Sequence, residues 1–279
     1  MEILLKHITS YDYKYPVSGI VQSTKLYPSP HNGLEILSWN VQHSSAKKSK
    51  IYKDAEVNNI QSFTSSKPLK SIQFTVTGKV KTLDTNGVYI NTEETIDPLV
   101  YLRGSKLTIP SADIKNLALE AKNGFTESEN LETSHNLMKL VTQKIEYKPL
   151  TTTNDTTAQD AYKQKRGVCQ DQAHIMISAA RTIGIPARYV NGYMHNNSHP
   201  SDFQATHAWA EFYIQNLGWI GFDPTNNCCP DERYIRVSCG LDASYASPIR
   251  GIFYGHSNKD NVIENLNINV ETLENNAQQ

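Results

Sequence analysis

The sequence predicts an α+β fold, with a β-rich N-terminal part and a C-terminal part in which helices pack on an antiparallel sheet. Three observations support this prediction. Apolar and polar residues alternate over much of the first hundred residues, the apolar period lengthens to about 3.6 after Pro110, and two further β patterns follow the helical region. At 279 residues, and roughly 150 residues per domain, the chain should hold two domains. We assign residues 1–105 to an N-terminal β-rich domain and residues 106–279 to a second domain with a C-terminal strand around 266–270.

The N-terminal part carries several strand patterns. Tyrosines alternate with polar residues over 11–15 and the pattern stops at Pro16, while apolar residues dominate 34–41. Residues 72–76 alternate strictly, and the Asn86-Gly87 pair predicts a tight turn into another short strand. Short alternating segments bounded by turn residues are typical of a β domain.

The second part contains two helical patterns. The first is an apolar stripe that should end before Pro149 and consists of Ser134, Leu137, Met138, Val141 and Ile145. A threonine-rich loop is predicted at 150–157. The second helix should begin at Cys169 and end near Gly184, which suits a left-handed cap, since Pro186 prevents continuation. Its apolar positions are Ala173, Met176, Ile177, Ala180 and Ile183.

The last informative elements are two strands, predicted at 206–214 and 218–225. The polar residues 215–217 between them predict a hairpin. If the chain turns there, Asp223 lies opposite His207 or one diagonal step away on the same face, with Cβ atoms roughly 5–8 Å apart.

Composition excludes several classes of function. The chain has 27 basic and 28 acidic residues and a formal net charge of −1, so we expect neither a nucleic-acid partner nor a membrane-surface role. We find no signal-peptide core and no run of 18 apolar residues, which predicts a cytoplasmic protein. Four unevenly spaced cysteines do not suggest a disulfide framework, and we expect reduced thiols.

Three residues together predict nucleophilic chemistry. A thiol attacks as thiolate, and the N-terminus of a helix, where Cys169 is predicted, favours the anion. His207 is the candidate base, and Asp223 is placed to orient its imidazole. Taken singly, a cysteine is more often a small buried residue and a strand histidine a structural one. In combination, Cys169, His207 and Asp223 favour catalysis.

The motifs around these residues resemble the bacterial transglutaminase-like proteins, often described as cysteine proteases. The core resemblance lies in 166–171 (RGVCQD), 184–193 (GIPARYVNGY), 207–211 (HAWAE) and 218–226 (GWIGFDPTN). It extends to 7–13 (HITSYDY), Pro16-Val17, Leu26-Tyr27-Pro28, Gly240-Leu241-Asp242, Pro248 and Arg250-Gly251. The resemblance implies a papain-like core, in which a helix carrying the cysteine packs on an antiparallel sheet, preceded by the N-terminal β domain of this family. It also implies that nucleophile, base and acid are Cys169, His207 and Asp223.

The sequence departs from the family pattern at Asn58, Gln172 and Thr206, where glycine, an aromatic residue and serine are usual. None of these changes removes a catalytic group. The resemblance therefore implies an active cysteine enzyme that forms a thioester on Cys169 from a peptide or protein substrate. We expect hydrolysis of peptide or isopeptide bonds. The alternatives are a protein-glutamine transglutaminase, in which an amine accepts the acyl group, and a non-catalytic binding module with a vestigial triad.

Further site residues are predicted around this core. The backbone N–H of Cys169 should stabilise the oxyanion, and the resemblance suggests Tyr147 as a second donor because related enzymes use an aromatic donor upstream of the cysteine. Arg188, Tyr189 and Trp209 are candidates for substrate contact, and a structural role is the alternative for Arg188 and Tyr189. We expect His174 to pack beside the site.

No metal site and no cofactor are predicted. Cys228, Cys229 and Cys239 lack the Cys-x₂-Cys spacing typical of zinc, and no calcium-loop pattern is present. The sequence does not indicate the substrate identity or the oligomeric state.

Overall fold

The structure is a computed structural model that describes residues 1–90, 94, 96–195, 206–254 and 262–272. Its regular elements follow one another in the order β1 (Glu2–Thr24), β2 (Leu34–His43), β3 (Lys47–Lys48), β4 (Tyr52–Lys53), β5 (Asn59–Ser65), β6 (Leu69–Thr82), β7 (Val88–Tyr89), α1 (Ala112–Lys122), α2 (Asn130–Lys144), β8 (Glu146–Tyr147), α3 (Ala158–Gln164), β9 (Arg166–Gly167), α4 (Cys169–Thr182), β10 (Ala187–Met194), β11 (Thr206–Ile214), β12 (Gly218–Phe222), β13 (Tyr234–Gly240), β14 (Ile249–Tyr254) and β15 (Val262–Thr272). Short 3₁₀ turns lie at Pro98–Leu102, Lys106–Thr108 and Glu127–Glu129. The mixed α+β class predicted from the sequence is confirmed.

The N-terminal sheet is built around β1. Its strand order is β2-β6-β1-β5-β3, and β14 and β15 also pair with β1 while β4 pairs with β5. The prediction that the first strand stops at Pro16 is wrong, because β1 continues to Thr24. The proline is tolerated because it lies between Asp12 and Val17, where the pairing with β6 is interrupted and no ladder N–H is needed.

The C-terminal strands belong to this same sheet. The strand predicted around 266–270 lies within β15, which pairs antiparallel with the first half of β1, from Ile3 to Tyr13. The shorter β14 pairs with the second half of β1. The two ends of the described chain therefore lie side by side, and the division into domains at residue 105 stays a prediction.

The second sheet has the order β13-β10-β11-β12-β7, and all its pairs are antiparallel. Helix α4 contacts β10 and β11 on one side and α1, α2 and α3 on the other. It is therefore buried around most of its circumference, which explains why its sequence is apolar beyond a single stripe. The helix ends as predicted, with Gly184 in the left-handed region at φ +85°.

The predicted hairpin is β11–β12. Ile214 pairs with Gly218 and Ala210 with Phe222, so the chain turns over the three residues between the strands. The second strand ends at Phe222 and is therefore shorter than the predicted strand at 218–225. If the register of β11 and β12 is continued by one residue, Asp223 lies one diagonal step from His207, which is one of the two predicted arrangements. Among the described residues, no helix is long and apolar enough to span a membrane.

Candidate active site

Cys169 is the first residue of α4, and its side chain is half-buried. The first N–H groups of a helix lack partners within the helix and favour a negative charge nearby. The chain before the cysteine is fixed by Asp171, whose Oδ2 accepts hydrogen bonds from the Val168 backbone N–H (2.8 Å) and the Thr152 hydroxyl (2.6 Å). Gly167 is needed here, because a Cβ at this position would lie 2.6 Å from the Cβ of Asp171. Cys169 is thus held at a fixed helix start.

His207 lies at the beginning of β11, close to both other members of the predicted triad. Its Nε2 donates to Asp223 Oδ2 over 2.7 Å, and the Cys169 thiol lies close enough to the imidazole to affect its pKa. Burial lowers the pKa of His207, but the charge of Asp223, the hydrogen bond to Asp223 and the nearby Cys169 thiol outweigh it, so the pKa lies well above its ordinary value. The structure therefore brings all three predicted residues together and favours a charged imidazole.

Asp223 is fully buried and surrounded by donors. Its Oδ2 accepts from His207, from Asn226 Nδ2 and from the Tyr234 hydroxyl, each at 2.7 Å. Its Oδ1 accepts from the backbone N–H groups of Thr225 (2.9 Å) and Asn226 (3.3 Å). Burial raises the pKa of Asp223, but the charge of His207 and these hydrogen bonds outweigh it and lower the pKa. The carboxylate stays ionised without contact with solvent.

Tyr147, the predicted second oxyanion donor, lies on β8 beside the cysteine. Its strand pairs in parallel with β9, and Tyr147 itself pairs with Gly167, two residues before Cys169. Burial and the charges of Cys169 and Asp223 raise the pKa of Tyr147, while its side chain remains 52% exposed. Tyr147 thus lies near the triad and is partly exposed, and its role as an oxyanion donor stays a prediction.

Three residues that the sequence suggested for substrate contact are buried instead. Arg188 has no exposed surface: its Nε donates to Glu211 and its Nη1 to Glu94, each over 2.6 Å. Tyr189 and Trp209 are also buried. The expectation of direct substrate contact does not fit this burial. These side chains belong to the packing of the second sheet, where Trp209 stacks against the His207 ring at 6.2 Å between centroids.

Other residues near the site were missed by sequence reasoning. Tyr234 on β13 and Asn226 after β12 both bind Asp223, as described above. Gln172 links the helix to the same loop, since its Nε2 donates to the Ile145 carbonyl (2.9 Å) and its Oε1 accepts from the Thr225 hydroxyl (2.7 Å). Asn226 and Gln172 stand in or next to quoted motifs, which is a usable signal. Nothing local singles out Tyr234, because its role depends on which strands become neighbours.

The remaining cysteines have different surroundings. Cys228 is half-buried and its Sγ lies 3.4 Å from the Tyr234 hydroxyl, whereas burial raises the pKa of Cys229 to about 11. Cys239 is buried on β13, where its backbone bonds to Asn58. Within the described ranges, no three His, Cys, Asp or Glu side chains form a group that could hold a metal ion. His174 lies on α4, where its buried ring packs against Tyr189 and its Nε2 accepts from the Ala243 backbone N–H (3.1 Å).

Sequence comparisons agree with the family resemblance predicted from the motifs. The family model described as transglutaminase-like superfamily matches residues 118–224, and the one described as bacterial transglutaminase-like N-terminal region matches residues 3–81. Together they cover more than half of the chain. The first match spans Cys169, His207 and Asp223, and the second spans most of the N-terminal sheet.

Individual relatives cover different parts of the chain. An uncharacterised protein of Mycobacterium leprae is 28% identical over 91% of this chain and 94% of its own length. An uncharacterised protein of Mycobacterium tuberculosis is 33% identical over 53% of this chain, which spans about half (49%) of that relative. The protein-glutamine gamma-glutamyltransferase of Pseudomonas aeruginosa is 32% identical over 36% of this chain, but the match is only 15% of that enzyme.

A solved structure shares the fold. A protein from Cytophaga hutchinsonii, provisionally named a cysteine protease, superposes with a TM-score of 0.75 at 19% sequence identity, over 100% of this chain and 92% of that chain. At this identity the likeness establishes the fold alone.

Proposed function

Because this chain belongs to the transglutaminase-like superfamily, we propose that it is a cysteine-dependent acyl-transfer enzyme that hydrolyses peptide or isopeptide bonds. One observation carries the proposal: the imidazole of His207 is hydrogen-bonded to the buried Asp223 carboxylate through Nε2 and lies close enough to the Cys169 thiol for that group to raise its pKa. This arrangement is the one that nucleophilic catalysis by a thiol requires.

The first step is proton transfer within the enzyme. Since Nε2 of His207 is bonded to Asp223, Nδ1 is left to take the proton of the thiol. The buried carboxylate of Asp223 stabilises the resulting imidazolium, and the start of α4 stabilises the thiolate. The raised pKa of His207 supports this charge-separated form.

The acyl group then passes through a thioester. The thiolate of Cys169 adds to the carbonyl carbon of the substrate amide, forming a C–S bond and an oxyanion. When the oxyanion collapses, the C–N bond breaks and the imidazolium of His207 gives its proton to the leaving amine. Water then attacks the thioester carbonyl while His207 takes one of its protons. The C–S bond breaks, the carboxylic acid is released, and the thiolate of Cys169 and the imidazolium of His207 are restored.

The oxyanion needs hydrogen-bond donors. We assign the backbone N–H of Cys169 and the hydroxyl of Tyr147 to this role. Loss of one such donor typically lowers the rate about 10²- to 10³-fold. The exposed position of Tyr147 and the influence of the Cys169 charge on its pKa support this assignment.

Transfer to an amine is the second candidate. The Pseudomonas aeruginosa relative, which matches over the core, carries the name of a protein-glutamine gamma-glutamyltransferase. In that case a primary amine, rather than water, would attack the thioester on Cys169. A vestigial site in a binding module is less well supported, because the contacts among Cys169, His207 and Asp223 are all retained.

Alkylation tests the activation of the nucleophile. Iodoacetamide near neutral pH should label Cys169 selectively over Cys228, Cys229 and Cys239, as mapped by peptide mass spectrometry. Burial raises the pKa of the other thiols, so selectivity alone is partly expected. His207→Ala is therefore the decisive variant and should slow labelling of Cys169. His43→Ala, a histidine of the N-terminal sheet, is the matched control and should not.

The reaction itself is tested by trapping. Incubation with a peptide library, followed by acid quenching and intact-mass measurement, should reveal an acyl adduct on Cys169. Adding a labelled primary amine then separates the two candidates: free acid indicates hydrolysis, and incorporated label indicates transfer. Equal labelling of all four thiols by iodoacetamide, together with no acyl adduct, would refute both and favour the binding module.

A further inference from the structure

Asp223 Oδ2 receives more donors than the proposed triad requires. His207 Nε2, Asn226 Nδ2 and the Tyr234 hydroxyl all approach this one oxygen to 2.7 Å. Asn226 follows Asp223 closely in the chain, but Tyr234 comes from β13, whereas Asp223 follows β12, and β10 and β11 lie between these two strands in the sheet. The contact between Tyr234 and Asp223 therefore depends on the arrangement of four strands.

The Tyr234 side chain is fixed by its surroundings. It is 4% exposed, and its ring packs edge-on against Trp209 at 5.5 Å and lies tilted against His207 at 5.9 Å between centroids. Since its hydroxyl donates to Asp223, the half-buried Cys228 thiol at 3.4 Å can act as donor to the phenolic oxygen. The result is a directed chain of donors from Cys228 through Tyr234 to the carboxylate.

From this geometry we propose that Tyr234 is a positioning residue, which holds the Asp223 carboxylate ionised and aimed at His207. The inference rests on the proposed function, because it assigns a role within the same site. A neutral hydroxyl that donates to a buried carboxylate stabilises its charged form and must give up that bond when the carboxylate is protonated. Tyr234 therefore sets how far the pH can fall before the proposed ion pair of Cys169 and His207 is lost.

The titratable groups around Asp223 and its partner His207 come from several elements. They are Cys169 of α4, His207 of β11, Tyr147 of β8, Tyr234 of β13, and Cys228, which has Arg233 beside it before β13. Of these, Tyr234 is a neutral group that donates to the carboxylate. Its substitution by phenylalanine removes the hydroxyl and keeps the ring. It can therefore be tested without changing the charge of the site.

The experiment is the pH profile of Cys169 alkylation, which needs no substrate. Tyr234→Phe should move the acidic limb of this profile to higher pH by about one unit, because one of three donors to Oδ2 is lost. Tyr193→Phe is the matched control. Tyr193 is buried on β10 of the same sheet and its hydroxyl also makes a 2.7 Å bond, but to His7. It should leave the limb unchanged.

A second variant covers the case in which Tyr234→Phe does not fold. Site-specific 3,5-difluorotyrosine at position 234 nearly keeps the shape of the ring but has a more acidic hydroxyl, which is a stronger donor. It should move the acidic limb to lower pH. If Tyr234 had only a structural role, the two variants would change the unfolding stability. They would not shift the acidic limb of the alkylation profile in opposite directions.

The outcomes separate this inference from the proposed function. If Cys169 of the unmodified protein is selectively alkylated and the limb moves as stated, Tyr234 positions the carboxylate. If Cys169 is selective but neither variant moves the limb, or Tyr193→Phe moves it equally, the inference is overturned while the proposed function stands. If His207→Ala does not slow alkylation of Cys169, the proposed function fails and the inference fails with it.

Discussion

Asp223→Asn should disable the proposed nucleophile while leaving the site almost unchanged in shape. Both carboxylate oxygens of Asp223 face only donors, three on Oδ2 and two on Oδ1. An asparagine must therefore turn its NH₂ group toward N–H or O–H donors whichever way it lies. One side of the buried site loses its acceptor, which costs about 1–3 kcal/mol for an unsatisfied group.

The larger effect is on charge. Burial alone lowers the pKa of His207, and the charge of Asp223 is the main cause that raises it. Without that charge the imidazole should be neutral at pH 7, and the thiolate of Cys169 loses its counter-ion. An ordinary thiol titrating near pH 8.5 is only about 3% ionised at pH 7. If the ion pair is well populated in the unmodified protein, alkylation of Cys169 at pH 7 should fall about 30-fold.

The assay is the pseudo-first-order rate of iodoacetamide labelling at Cys169, followed by intact mass from pH 5 to pH 9. Asp231→Asn is the matched control. Asp231 lies in the loop between β12 and β13, where it pairs with Arg233 at 2.7 Å and does not contact the triad in the structure. A labelling rate for folded Asp223→Asn within a factor of about two of the unmodified protein at pH 7 would refute this reasoning, because half a pKa unit would already exceed it.

Three further predictions concern stability and packing. Glu211→Gln removes the buried acid shared by Arg188 and Arg236 and should lower the free energy of unfolding, measured by urea titration, by about 3–5 kcal/mol; a change below about 1 kcal/mol would contradict this reasoning. In Gly192→Ala the new Cβ would collide with the backbone carbonyl oxygen of Ile235 and lie 2.6 Å from the ring of Trp209, so stability should fall by about 1–3 kcal/mol, and a neutral result would show that both the strand and the ring can move. Burial lowers the pKa of His207 but Asp223 raises it by more, and His207 in turn lowers the pKa of Asp223, so this pair contributes fully between about pH 3.9 and pH 6.5, and its contribution is lost as the pH rises through the folded-state pKa of His207. The urea midpoint should therefore fall on raising the pH above neutrality, and more steeply than in Asp223→Asn.

The sequence predicts the parts of the site that local rules control. Helical spacing after Cys169 and the Gly184 cap define α4, and the polar turn at 215–217 defines the hairpin. Because side chains alternate along a strand, parity alone places Asp223 on the face of His207. These contacts lie within one helix and one hairpin, so the pattern of the sequence was sufficient. The catalytic roles, the cytoplasmic location and the peptide or protein substrate stay predictions.

Arg188 shows where such reasoning stops. Its position at the start of β10 suggested a side chain available to substrate, and the structure buries it against Glu211 and over the ring of Trp219 at 3.8 Å. Glu211 pairs with Arg188 across β10 and β11, in a register that the sequence pattern does not predict. Without that register, no pattern distinguishes a buried ion pair from an exposed arginine.

The same limit applies to what tunes the site. The base lies on β11 and the acid just after its hairpin partner β12, but Tyr234 reaches Asp223 in a sheet where β13 pairs with β10 rather than with β12, its predecessor in sequence. Alternation along β13 is equally compatible with either neighbour, so periodicity cannot select the pairing. If Tyr234 controls the charge of Asp223, the identity of the catalytic groups follows from local sequence, whereas the pH range in which they act follows from strand order.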